Sequence, residues 1–243
     1  MLEGGDYVIT RKVIIMLHLQ KYINQPIEVT LSREIIPFEG ILIDKGSDII
    51  VLYDGEKYMY ISSLHIQHLT PSIDSSLFDN LTIPESLLPQ DIISSESTIS
   101  LRKTLQVAKG QFIELALSHE HFLYGYVTHI MNDYFVFLSP VYRMLYIPFH
   151  HVKYIVPYKE AETPYGLENE RLLLPASKIT LARTFSEQMK KLKQHIILLD
   201  LGIQNYKIGK LAEVTDNQIE LITARNQRFH FNLHHVKTVH LPS

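Results

Sequence analysis

The 243-residue chain is 46% hydrophobic and 20% charged, an ordinary globular balance that argues against wholesale disorder. Its net charge of −3, from 23 basic and 26 acidic side chains, argues against a general nucleic-acid or anionic-membrane binder, since both need a basic surface. With no cysteine it has no disulfide framework, thiolate metal site or thiol nucleophile.

The start, Met1-Leu2-Glu3-Gly4-Gly5-Asp6, and the short apolar run from Val13 to Leu17 read as neither a signal peptide nor a membrane span. The protein is therefore expected to stay in the compartment where it is made. Thr10 can cap a short amphipathic helix carrying Val13, Ile14, Leu17 and Tyr22, although the β-branched content leaves a strand open. Ile27, Val29 and Leu31 alternate with polar residues as in a half-buried strand. A second strand runs from Gly40 through Leu42 to Asp44. The turn Lys45-Gly46-Ser47-Asp48 leads to a third with Ile50 and Leu52 on one face, then a fourth with Met59 and Ile61, and a fifth from Ile66 to Leu69.

The same order returns twice. Gly40, Gly125 and Gly209 are 85 and 84 positions apart, and each is followed eight positions later by Asp48, Asp133 or Asn217, residues that suit a hairpin turn. His65, His151 and His235 recur at spacings of 86 and 84, and the inward pairs Ile50/Leu52, Phe135/Phe137 and Ile219/Leu221 keep the register. Upstream, Ser100 to Leu105 matches Thr180 to Phe185 as a capped helix start. This is an internal triplication.

The expected fold is mainly β: three tandem five-stranded Sm/SH3-like barrels, each preceded by a short helix. Oligonucleotide-binding barrels rank second because they place their helix later. The repeats span 1–71, 98–158 and 178–243. The Ser-, Pro- and acid-rich segments 72–97 and 159–177 read as linkers strapped across neighbouring barrels. Units of about 60 residues are marginal alone, so the repeats should pack on one another. Charge is uneven along the chain: −3 over 1–70, −5 over 71–177 and +5 over 178–243.

Each repeat closes on the same stretch. Tyr146-Ile147-Pro148-Phe149-His150-His151-Val152-Lys153 and Phe229-His230-Phe231-Asn232-Leu233-His234-His235-Val236-Lys237 resemble the motifs of the spore coat protein B family, and Met59 to Pro71 is a more worn copy. That family, from the outer coat of endospore-forming bacteria, is also built of three such repeats, and the short His-bearing turn resembles the end of the bacterial Sm-like fold. The resemblance implies a structural coat component made in the mother-cell cytoplasm and placed on the spore surface. Its implied partners are other spore coat proteins. Two features depart from the family. Ser32-Arg33-Glu34-Ile35-Ile36 and Ser118-His119-Glu120-His121-Phe122 stand where the family has a glycine-rich turn, and no Ser/Lys-rich tail follows Pro242-Ser243.

Thirteen histidines invite a metal reading, but consecutive strand residues point to opposite faces and zinc needs three or four converging ligands. The repeated His65, His151 and His235 are expected to be structural, so no metal and no cofactor is expected. Motifs for nucleophilic, phosphate-binding or zinc-dependent catalysis are absent, and the protein is not expected to be an enzyme. The alternative is an Sm-like RNA-binding protein. It lacks the Arg-Gly of Sm-type pockets and offers a local basic turn, Arg225-Asn226-Gln227-Arg228, so nucleic acid is the weaker expectation. Arg225, Arg228 and Lys237 are instead candidates for a self-association surface, one free sheet edge being expected at each end of the chain.

Overall fold

The computed structural model describes residues 19–72, 78, 83, 99–118, 121–158, 165 and 180–242. Most of the helix expected at Thr10 and most of both linkers lie outside these residues; the last position of that helix, Tyr22, ends a 3₁₀ turn, Leu19–Tyr22. Within them the protein is mainly β. The first repeat supplies β1 (Pro26–Leu31), β2 (Phe38–Lys45), β3 (Ile49–Tyr53), β4 (Tyr58–Ser62) and β5 (Ile66–Pro71). The second supplies α1 (Leu101–Val107), β6 (Phe112–Ser118), β7 (His121–Ile130), β8 (Tyr134–Ser139), β9 (Arg143–Pro148) and β10 (Tyr154–Pro157). The third supplies α2 (Phe185–Lys191), β11 (Ile196–Leu199), β12 (Ile208–Val214), β13 (Gln218–Ile222), β14 (Arg228–Asn232) and β15 (Val239–His240). No helix among the described residues is long and apolar enough to cross a membrane.

The chain divides into two compact units, and the division cuts the middle repeat. The first unit holds β1 to β5, α1, most of β6, and β10, in the strand order β6-β10-β4-β3-β2-β1-β5. Its core gathers Ile27, Val29, Leu31, Leu42, Ile50 and Leu52, the inward residues that alternation marked out. The second unit holds most of β7, then β8, β9, α2 and β11 to β15, in the order β14-β13-β12-β11-β15-β9-β8-β7. Its core is built on Ile197, Leu199, Leu211, Ile219 and Leu221, closed by Phe185, Met189 and Leu192. Among the described residues the strand pairs within each unit are antiparallel.

The helix of the third repeat starts four residues later than its expected alignment. α2 is capped by Thr184, not Thr180, because Thr184 and Glu187 form a reciprocal capping box. Ser100, the cap of α1, is therefore the counterpart of Thr184. Alternation along β9 turns Tyr146 to the face opposite Leu145 and Ile147, the outward side of its own repeat. Tyr146 is 1% exposed and sits in the second core beside Tyr134, because β8 and the last four residues of β9 are covered on both faces.

Candidate functional site

Each repeat bends at the same place. A Cβ on Gly40 would stand 2.5 Å from the Tyr53 carbonyl oxygen, and one on Gly209 would stand 2.7 Å from that of Ile222; on Gly125 it would run into that of Leu138. Glycine is required because two backbones meet there. Just beyond it the register shifts between Leu42 and Asp44, between Val127 and His129, and between Leu211 and Glu213. One bulge, repeated three times, turns the second strand of each repeat.

The repeats are joined by one contact that is made twice. In the first unit β4 pairs with β10, Tyr60 opposite Ile155 and Ile61 opposite Tyr154. The Ser62 amide donates to the Lys153 carbonyl at 2.8 Å. In the second unit β9 pairs with β15, with Tyr146 opposite Val239 and Leu145 opposite His240. Tyr146 lies 86 positions after Tyr60, and Val239 lies 84 after Ile155, so the register is the same.

Side chains and turns reinforce the contact. Ala116, Tyr154 and Val156 of the middle repeat enter the core of the first beside Met59 and Ile61. The hairpin turn of one repeat also holds the helix start of the next. Asp48 Oδ1 accepts the Leu101 amide at 2.8 Å, and Asp133 Oδ1 accepts the Phe185 amide at the same distance. The Ser47 and Asn132 amides donate to the Ile99 and Arg183 carbonyls at 2.8 and 3.0 Å. Tyr134 adds a hydroxyl that donates to the Ala182 carbonyl at 2.8 Å, and burial raises its pKa. In the first unit the Lys153 ammonium donates to the Ser32 carbonyl at 2.7 Å and pairs with Glu34, both side chains being nearly buried.

Four histidines meet in the second unit. The His150 and His234 rings stack with centroids 4.2 Å apart and planes 9° apart, and His150 Nε2 lies 2.9 Å from the His234 carbonyl. His151 packs on His150 at 4.1 Å and His235 flanks His234 at 5.8 Å. Burial lowers the pKa of His150, and burial with the neighbouring His150 pushes His151 down to about 3. Two neutral rings stack well, whereas two charged ones repel. Among the described residues no three His, Asp or Glu side chains converge as metal ligands.

His65, His151 and His235 each close the short 3₁₀ turn between the fourth and fifth strands of their repeat. Their surroundings differ: His65 Nδ1 lies 3.3 Å from Ser32 Oγ, His151 is half-buried and His235 is exposed. Arg225 is exposed at the β13–β14 turn, and Arg228 pairs with Glu220 at 2.5 Å. Lys237 is half-buried, its amide donating to Asp200 Oδ1 at 2.7 Å. The three are thus not one cluster of free cations.

The comparisons with known proteins follow this pattern. A family model described as the YwrJ third domain matches residues 184–239. Uncharacterized protein YwrJ of Bacillus subtilis (strain 168) is 39% identical over 229 residues, covering 93% of this chain and 100% of the relative. The chain belongs to the YwrJ family. The stretch matched to the YwrJ third domain runs from Thr184, the cap of α2, to Val239 in β15, and it falls within the third repeat counted from the sequence. Sequence reading missed the residues that fasten one repeat of this YwrJ chain to the next. Asp48 and Asp133 were read only as hairpin-turn residues. The signal available was their similar distance, 53 and 52 positions, to the first residue of the following helix.

Proposed function

We propose that this YwrJ-family protein is a structural component that acts through protein–protein contacts made by sheet edges. On the resemblance of its closing motifs, we place it in the spore coat, assembled from the mother-cell cytoplasm with other coat proteins. The observation that carries the reading is the joint itself: β4·β10 and β9·β15 are the same heterologous strand pairing in the same register. A module that repeatedly accepts a neighbour's last strand is suited to assembly. We read each repeat as a small barrel. In the first and third the strand order is fifth-first-second-third-fourth, with the bulge after the conserved-spacing glycine supplying the bend.

A fluorescent fusion followed through sporulation tests the reading. The expected result is a shell around the developing spore, and diffuse signal throughout would sink it. The exposed Arg225 keeps RNA as the alternative; salt-sensitive retention of single-stranded RNA by the purified chain would favour that reading over the coat.

A further inference from the structure

The first and third repeats each carry half of a third joint. β14 is the counterpart of β4 and β9, yet β4 is buried at every position and the last four residues of β9 are buried, whereas β14 alternates between exposed and half-buried. β5 is the counterpart of β10 and β15, which are buried throughout, yet all six of its residues are exposed or half-buried. Among the described residues β14 pairs with β13 alone and β5 with β1 alone.

We infer that β5 of a second copy adds to β14 of the first, joining two molecules head to tail through the contact that each already makes internally. This rests on the assembly reading above and names its partner. The internal register fixes the expected one. Tyr60 and Tyr146 face Ile155 and Val239, so their counterpart His230 should face Leu69. His68 then falls opposite Phe231, and Thr70 opposite Phe229.

The side chains fit those places. In the first unit Tyr154 and Val156 share a core with Met59 and Ile61. Their counterparts are His68, also a ring, and Thr70, which has the shape of valine. The counterparts of Met59 and Ile61 are Phe229 and Phe231, half-buried beneath the ring of Tyr206 at 5.5 and 6.3 Å, itself 40% exposed. Three aromatic rings at an uncovered strand edge make a surface that a further strand would bury. Charge favours the same pairing, since the segment carrying β14 is at +5 and the segment carrying β5 at −3. Because His68 and Thr70 are more polar than Tyr154 and Val156, this joint should be reversible where the internal ones are permanent.

The chain has no cysteine, so introduced thiols report alone. Copies carrying His68→Cys, made larger by a tag, are mixed with copies carrying Phe231→Cys and gently oxidised. The expected product is the mixed covalent dimer, formed faster than from Gln67→Cys with Phe231→Cys, because residue 67 presents its side chain to the other face. If Phe231→Cys abolishes a cooperative melt, Thr70→Cys with Phe229→Cys replaces the pair. Sedimentation of the unmodified chain at low salt should show reversible self-association, weakened at least roughly tenfold by His230→Pro, which removes an edge amide. A chain that stays monomeric at every concentration overturns the inference, as does trapping no faster at 68–231 than at 67–231. If the fusion still coats the spore in that case, the assembly reading survives with a different partner.

Discussion

Asp133 Oδ1 accepts the Phe185 amide at 2.8 Å, so the turn of one repeat caps the helix of the next. The first orphan amides of α2 are thereby shared between Thr184, which serves Glu187, and Asp133. Replacing Asp133 with Ala should lower the stability of the second unit by about 1–2 kcal/mol, and Asn, which keeps an acceptor, should lower it less. Chemical denaturation of the two variants checks this; equal loss from Ala and Asn would remove the capping role.

The glycine positions give a second test. Gly209→Ala places a methyl group against the Ile222 backbone, which cannot swing aside as a side chain would. The expected cost is about 1–3 kcal/mol, read as a lower melting temperature. Gly40→Ala should behave alike, since its Cβ meets the Tyr53 carbonyl. A neutral result at both would mean that the second strands do not pass so closely over the third.

Lys153 and Glu34 form an ion pair whose side chains are 4% and 8% exposed. Lys153→Met leaves the Glu34 carboxylate buried without its cation, an expected loss of about 3–5 kcal/mol. Adding Glu34→Met should recover much of it, because two apolar groups need no mutual satisfaction. A double-mutant cycle decides; additive losses would show that the pair is not coupled.

His151 gives a pH dependence with a definite sign. Its imidazole is held at about 3 when folded, mainly by burial and then by His150, against an ordinary value of about 6.5, so the unfolded chain binds more protons between those values. Stability from this group is fully present above about pH 6.5 and drains away as pH falls towards 3. His150 and His240 shift in the same direction, again chiefly through burial. Asp200 and Lys237 also act on His151, in opposite senses. His151→Asn should flatten the slope of stability between about pH 6.5 and 5, above most carboxylate titration. An unchanged slope in urea denaturation at stepped pH would contradict the burial of this ring.

The strands and their repetition are legible in residue order alone. Ile27, Val29 and Leu31 alternate because one face of β1 meets a core, and that period survives any arrangement of neighbours. The glycines and turn residues were equally legible, because backbone approach and hairpin geometry restrict residue type locally. What lies against the other face of a strand depends on which parts of the chain pack together. Tyr146 and His230 hold the same place in their repeats, and alternation turns each to the face opposite its two neighbours in the strand. Yet Tyr146 is buried against the third repeat, whereas His230, in the third repeat itself, is exposed. Alternation marks a second face but carries no information about what will cover it. For the same reason Asp48 and Asp133 read as hairpin residues, and their carboxylates met the next helix only once the chain had returned more than fifty residues later. The division of the middle repeat between two cores has the same origin: a repeat that gives its last strand to one neighbour and takes a strand from another belongs to both.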